Sequence, residues 1–467
     1  MVFSKRVIAG LLCAALGACA TTATKPEAAP RPREKPVAYA RDPYPSTYRA
    51  FPGVPTLVTN VTVYDGEGRR IERGQVLIAD GKVVGVGQGL AAPAGAVTID
   101  GTGKWVTPGI IDIHSHLGEG NPGGGFGDGN EGTGPVRPEV WAEHSVWPQD
   151  PRFTRALTNG GVTTIQVLPG SANLFGGRSV VLKNVPARTV QAMKFPGAPY
   201  GLKMACGENP KRVYGSRNQM PATRMGNMAV NRQTWARAQE YKRRWDKYER
   251  DGGEPPARDI AMDTLRGVLA GEILVQNHCY RAEEMAAVID MAKEFGYKVS
   301  TFHHATEAYK IADLLKANNI CAALWADWWG FKMEAYDAVT ENLPLVHNAG
   351  GCAITHSDDE NGIQRLNQET AKALAAGRRM GMTIPDEVAW RWLSSNPARA
   401  MGIADKTGSL KPGKMADMVL WNGNPFSVYT RPEKVWIDGA LLYDALDLKR
   451  RPVTDFELGQ AGEGDVK

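Results

Sequence analysis

The stretch "VTPGIIDIHSHLGEG" (106–120) runs apolar, then places two histidines two residues apart, then breaks into glycine. In an extended strand, residues i and i+2 face the same side. Asp112, His114 and His116 therefore share one face, and Ile111 and Ile113 the other. The aliphatic face suits packing against outer helices. The histidine face suits the interior of a closed sheet, at the open end of the strand. The chain has only eight histidines, and two imidazoles on one face at a strand end suit a metal ion.

Working outward, residues 108 to 400 alternate β-like runs with helical patterns. Eight runs are legible: "IIDIHSH", "VTTIQVLP", "SVVLKN", "GLKMACG", "EILVQNHC", "KVSTFHH", "ICAALWA" and "CAITHSD". Helical stretches such as "YRAEEMAAVIDMAKEFG" and "EAYKIADLLKANN" separate several of them. This alternation predicts an α/β protein built on a (β/α)8 TIM barrel, whose chemistry sits at the C-terminal strand ends. Histidines stand at those ends: His278 on strand five, His303-His304 on strand six, His356-Ser357-Asp358 on strand eight. Strand four carries Lys203, and Glu208 follows it. Imidazoles with a carboxylate form a zinc-like ligand set. The charged insert "RQTWARAQEYKRRWDKYERDGGEPP" after strand four reads as an exposed excursion able to cover the barrel mouth.

Residues 55–107 and 401–445 read as short strands with Gly turns, including Asp65-Gly66 and Asp80-Gly81 between β-rich runs. Segments from both ends of the chain are expected to build one small composite β-sandwich domain beside the 108–400 barrel. Residues 446–467 form a C-terminal tail.

The N-terminus has Lys5 and Arg6, an apolar run from Val7 to Ala18, and then Cys19. The run is too short to span a bilayer as a helix and reads as a signal peptide. Leu16-Gly17-Ala18-Cys19 resembles a bacterial lipobox, so residues 1–19 are expected to be a lipoprotein signal with lipidation at Cys19. Ala20 resembles the residue of lipoproteins sorted to the outer membrane. Residues 20–54, rich in Pro, Ala and charge, read as a flexible tether. The expected location is periplasmic, anchored to the outer membrane by lipid alone.

The chain has 467 residues, is 43% hydrophobic and carries a net charge of +5 without a long basic run, which argues against a nucleic-acid partner. Cys206, Cys279, Cys321 and Cys352 are too few for a disulfide scaffold and are expected to be buried thiols despite the oxidising compartment.

With these motifs in place, the sequence resembles the amidohydrolase superfamily, and most closely its imidazolonepropionase-like branch. "VTPGIIDIHSH", "HCYRAEE", "HHATEAYK" and "ITHSDDE" are similar to that family's motifs at strands one, five, six and eight. "TGSLKPGKMADMVLWNGNPF" resembles its return to the β domain. The resemblance implies that His114, His116 and Asp358 bind one metal, and that His278 and His304 bind a second. The metals would be zinc, or manganese or iron. His304 takes this role rather than His303, which is expected to pack outward because neighbours on a strand face opposite ways. A carboxylated Lys203 would bridge the two metals, with Glu208 as the alternative bridge and Lys183 a more distant one. Asp358 would also move the proton. Asp112 and His356 have the parity to orient ligating imidazoles.

Substrate contacts are expected from Tyr280 and Arg281, which follow His278, unless Arg281 pairs with Glu283 or Glu284 instead. Asn173, Arg224 and Trp325 are further candidates, Trp325 with Trp328 and Trp329 forming either an aromatic wall or core packing. The leading expectation is a metal-dependent hydrolase of C–N bonds in an amide, peptide or cyclic amide. Its partner would be a small molecule or short peptide. A single-metal deaminase, needing neither Lys203 nor Glu208, is the second enzyme reading. A non-catalytic metal- or ligand-binding lipoprotein is the third.

Overall fold

The structure, a computed structural model, describes residues 42–120, 127–328 and 330–450. The expected signal peptide with Cys19, the first part of the tether, Trp329 and residues 451–467 of the tail lie outside the described residues. No described helix is long and apolar enough to cross a membrane.

Eight barrel strands follow one another around a single sheet in chain order. They are β1 (Ile110–Ser115), β2 (Val162–Val167), β3 (Phe175–Lys183), β4 (Gly201–Ala205), β5 (Leu274–His278), β6 (Val299–His303), β7 (Cys321–Leu324) and β8 (Cys352–Thr355). β1 and β8 meet at their C-terminal ends, where the Asp358 N–H donates to the His114 carbonyl at 2.9 Å.

One strand departs from the expected pattern. β3 runs antiparallel to both β2 and β4. The segment 168–174 contains no helix, and a parallel return needs a crossover of about a dozen residues or more. The chain therefore turns back as a hairpin, and Lys183 emerges at the barrel end opposite His114. There its Nζ lies 3.0 Å from Asp417 and 3.0 Å from Asp438 in the β domain. This removes Lys183 from the metal-bridging candidates. Lys183→Ala would strand two buried carboxylates and is expected to cost about 3–5 kcal/mol of stability in urea unfolding.

The β domain is built from both chain ends, as expected. Its eight strands form one hydrogen-bonded sheet, in which Trp105–Pro108 pairs antiparallel with Met418–Trp421. Thr56–Tyr64 also pairs with Val97–Asp100, so the sheet branches there. Asp80 (φ 50°) and Gly81 (φ 73°) make the two-residue turn between Arg70–Ala79 and Lys82–Gly87. Two adjacent positive φ values are what Asp-Gly supplies at low cost.

The charged insert does not cover the mouth. It forms the helix Arg224–Asp251, whose buried residues Asn227, Asn231, Trp235, Ala238, Tyr241, Trp245 and Tyr248 fall on one helical stripe. Its indole and phenol rings join the core along the barrel wall, with Trp235 stacked on Tyr297 at 4.2 Å.

The four described cysteines are disulfide-bonded, not free thiols. Cys206 pairs with Cys279 and Cys321 with Cys352. Register places them together: Ala205 lies opposite His278, so the next residues of β4 and β5 are neighbours, and Cys321 lies directly opposite Cys352.

Candidate metal centre

The C-terminal ends of β1, β4, β5, β6 and β8 bring His114, Lys203, His278, His304 and Asp358 together, all buried or nearly so. The polar atoms of His114, His116 and Asp358 lie within 4.8 Å of one another. Asp358 Oδ1 is 3.3 Å from His114 Nε2 and 3.2 Å from His116 Nε2, and Asp358 Oδ2 is 3.7 Å from His304 Nε2. Two ligands on one tetrahedral zinc, each about 2.0–2.1 Å from it, would be about 3.3 Å apart.

The orientation of each imidazole follows from what holds its other nitrogen. The Gln276 amide nitrogen faces the Ala400 carbonyl at 3.5 Å, leaving its Oε1 to accept from His303 Nε2–H at 2.8 Å. His303 Nδ1 is then an acceptor, and His114 Nδ1–H donates to it at 2.9 Å. A second relay starts at the Leu324 carbonyl, which accepts from His356 Nδ1–H at 3.0 Å. His356 Nε2 then accepts from His304 Nδ1–H at 2.7 Å. Glu119, on the turn after β1, accepts from His116 Nδ1–H at 3.0 Å. In all three cases the ligand-side Nε2 is turned toward Asp358, the second-neighbour arrangement typical of metal-bound histidine. His356 Nε2 also lies near His114 and His304, but it is occupied by the His304 bond and serves as an orienting group.

Two corrections follow. His303 was expected to pack outward, yet it points inward and holds His114. Strand alternation ends at His304, whose φ of 56° is left-handed. That turn lets neighbouring histidines both face the site. Asp358 sits in a similar conformation (φ 59°) at the end of β8, and non-glycine residues rarely adopt it. Asp112 orients no imidazole. It accepts from the Ser357 N–H at 3.1 Å and the His114 N–H at 3.2 Å, and also from the Ser357 hydroxyl, so it braces β1 against the β8 loop.

Electrostatics favour a cation. Burial holds the His114, His278 and His304 imidazoles well below their ordinary pKa, so they are neutral. Burial also opposes charge on His116, but Asp358 and Glu119 outweigh it and lift its pKa to about 9. The same two carboxylates favour a divalent cation in place of that proton. Asp358 is held far below the usual carboxylate range: burial raises it, but His304, His116 and Lys203 prevail. Lys203 Nζ lies 3.2 Å from His114 Nε2, and burial lowers its pKa to about 8.

His278 supplies a further test of fit. It is 3% exposed, and neither ring nitrogen has a hydrogen-bond partner among the described residues. A buried imidazole with both nitrogens unpaired is costly, and a metal ion would satisfy one of them. The donor set is neutral nitrogen plus carboxylate oxygen, and it fits a divalent metal of the zinc type.

Around this cluster, Trp325 stacks on His304 at 4.5 Å and on His356 at 4.8 Å, and its indole N–H donates to the Ser357 carbonyl. Trp328 stacks on Trp325 in turn. Tyr280 is buried with its ring 4.9 Å from that of His278. Lys332 lies 4.0 Å over the Tyr280 ring and 3.4 Å from Glu334. Glu208 is at the start of the following helix and lies 3.9 Å from Lys332, so the structure brings Lys203, not Glu208, to His114.

Three other expected contacts are employed elsewhere. Asn173 Nδ2 donates to the carbonyls of Glu131 and Gly134, bracing a loop. Arg281 and Arg224 both pair with Glu283, at 2.7 and 2.9 Å. Glu119, Gln276 and Lys332 escaped the sequence reading. Glu119 alone had a local signal, three residues after His116.

A model of the amidohydrolase family matches residues 105–442 of this chain. The chain is 30% identical over 433 residues to the amidohydrolase tasK of Hapsidospora irregularis, covering 84% of this chain and 43% of that protein. It thus spans less than half the length of that relative. It is 23% identical over 396 residues to an imidazolonepropionase of Mesorhizobium japonicum, covering 75% of this chain and 87% of that one. Among solved structures, an amidohydrolase from Thermotoga maritima MSB8 superposes with a TM-score of 0.77 at 35% identity, covering 83% of this chain and 100% of that one.

Proposed function

Because this chain belongs to the amidohydrolase family, we propose that it hydrolyses a carbon–nitrogen bond, of an amide, a short peptide or a cyclic amide, with divalent metal bound at the barrel mouth. The observation that carries this reading is the convergence of three pre-oriented imidazole Nε2 atoms on Asp358. His114, His116 and Asp358 would hold one ion, and His278 and His304 a second. Lys203 would bridge them after its neutral amine adds CO2 and releases a proton, forming a carbamate anion. Burial favours the neutral amine this addition needs. A bound divalent ion supplies Lewis acidity, making water nucleophilic near neutral pH and polarising the scissile carbonyl.

The remaining work belongs to the chain. Asp358 accepts the proton of the attacking water and returns it to the leaving nitrogen. Its low pKa keeps it ionised for the first of these steps. Glu119, His303 and His356 hold the ligand rings and prevent their rotation. Trp325 and Trp328 form an aromatic wall that limits water at one side of the site, and Tyr280 and Lys332 line another. That mixture of rings and one ammonium makes dipeptides and N-acyl amino acids the first compounds to screen. The test is metal dependence. Chelation is expected to abolish hydrolysis of whichever screened compound is turned over, and added Zn²⁺ or Mn²⁺ to restore it. Full activity in protein shown by elemental analysis to lack metal would sink the proposal.

We further propose that the chain is exported and anchored through lipid at Cys19. The two disulfides support an oxidising compartment. Cys19→Ser is expected to move the protein from the membrane fraction to the soluble fraction with its specific activity intact, because multiple acyl chains, not a protein segment, would provide the anchor. Wild-type protein found wholly in the soluble fraction would contradict this.

A further inference from the structure

Three of the four proposed imidazole ligands are held by a neighbour: His114 by His303, His116 by Glu119 and His304 by His356. His278 is the exception. It is buried, and neither of its ring nitrogens has a hydrogen-bond partner among the described residues. A metal ion would occupy one nitrogen, and no described protein group holds the other. Ligating histidines ordinarily donate that second N–H to a carboxylate, a carbonyl or water, which fixes the ring. What the protein does to fix His278 therefore acts through its backbone and the faces of its ring.

The disulfide Cys206–Cys279 lies at that backbone. Cys279 directly follows His278, the last residue of β5, and Cys206 follows Ala205, the last of β4. Ala205 pairs with His278, so the bond sits one step beyond the final ladder pair, where the two strands part into their loops. The Cys206 N–H also donates to the His278 carbonyl at 2.9 Å. β4 carries Lys203, opposite Gln276, so the same bond ties the strand of the proposed bridging lysine to the strand of the proposed ligand. Tyr280 and His304 meet the His278 ring edge to face, at 4.9 and 4.8 Å, which limits its tilt without a hydrogen bond. The second disulfide makes an internal contrast. Cys321 and Cys352 are the first residues of β7 and β8, at the barrel end away from the metal cluster.

We propose that the Cys206–Cys279 disulfide is a positioning device for the second metal: it fixes the β5 terminus that carries His278, in place of the hydrogen bond that holds each of the other three rings. The proposal rests on the two-ion reading above, in which His278 is a ligand. A purely stabilising role makes a different prediction. The two bonds join cysteines 73 and 31 residues apart, and closure entropy grows only with the logarithm of loop length. Removing either bond should therefore lower the melting temperature to a similar extent, but only the bond beside His278 should change metal binding.

The test compares Cys206→Ala/Cys279→Ala with Cys321→Ala/Cys352→Ala in the full chain, by zinc titration against a competing chelator and by elemental analysis. Wild type and Cys321→Ala/Cys352→Ala are expected to hold two ions with the same affinities. In Cys206→Ala/Cys279→Ala one ion should bind about 10–100-fold more weakly, the usual loss when the partner of a ligating ring is removed, and the other as in wild type. Cys206→Val/Cys279→Ala restores apolar volume without the bond and should show the same single weakened ion, so it serves where the alanine pair is too unstable to isolate. The proposal is overturned if a folded variant lacking the Cys206–Cys279 bond keeps both ions at wild-type affinity, or if losing the Cys321–Cys352 bond weakens the same ion equally. It is also overturned if neither variant lacking the first bond folds while Cys321→Ala/Cys352→Ala does, since the bond would then support the barrel as a whole. Two ions in wild type, both retained without the bond, sink this inference alone. A single ion in wild type that survives His278→Ala refutes the two-ion reading, and this inference with it.

Discussion

Lys203→Ala is expected to release roughly one metal ion per chain and to lower kcat by about 10²–10³-fold, the scale of losing one preorganised electrostatic contact to the transition state. The argument rests on charge and place. Lys203 is the one cationic side chain 3.2 Å from His114 Nε2 among the described residues. As an ammonium it would repel metal ions, since it has no lone pair to offer. As a carbamate it would place an anion between the His114–His116 pair and the His278–His304 pair. Alanine leaves a space the size of that side chain, so formate, acetate or propionate should restore part of the rate. Metal content before and after acid addition, with turnover, checks this. Two ions retained in Lys203→Ala but lost in Glu208→Gln would move the bridge to the glutamate. One ion in the wild type, insensitive to either change, would replace the hydrolase reading with a single-metal deaminase.

Asp358→Asn should be about as damaging, with kcat per bound metal down by about 10²–10⁴-fold, the usual contribution of a positioned acid–base group. Asparagine keeps the shape and can still face His114 and His116, but it cannot take a proton at neutral pH. The loss should appear at saturating zinc and chiefly in kcat, with KM changed only a few-fold. An unchanged kcat per bound metal would make Asp358 a ligand and nothing more.

How much of this was legible in the chain depends on how far each interaction reaches. The His114–His116 spacing, the aliphatic Ile111–Ile113 face and the Asp80-Gly81 turn are local. Each follows from a two-residue period or from φ preferences within a few residues. The order of histidines at strand ends was enough to place one site at one end of a barrel. Other features could not be read this way, because they depend on contacts between distant segments. The disulfides join cysteines 73 and 31 residues apart that meet only once β4, β5, β7 and β8 are in register. β3 reverses because its connection is short, although its apolar run matches that of a parallel strand. His303 and His304 both face inward because one left-handed residue interrupts the alternation that holds elsewhere. The order of residues along the chain determined that imidazoles would stand at strand ends. Tertiary structure decided which nitrogen of each ring faces Asp358, because the other nitrogen is held by His303, His356 or Glu119.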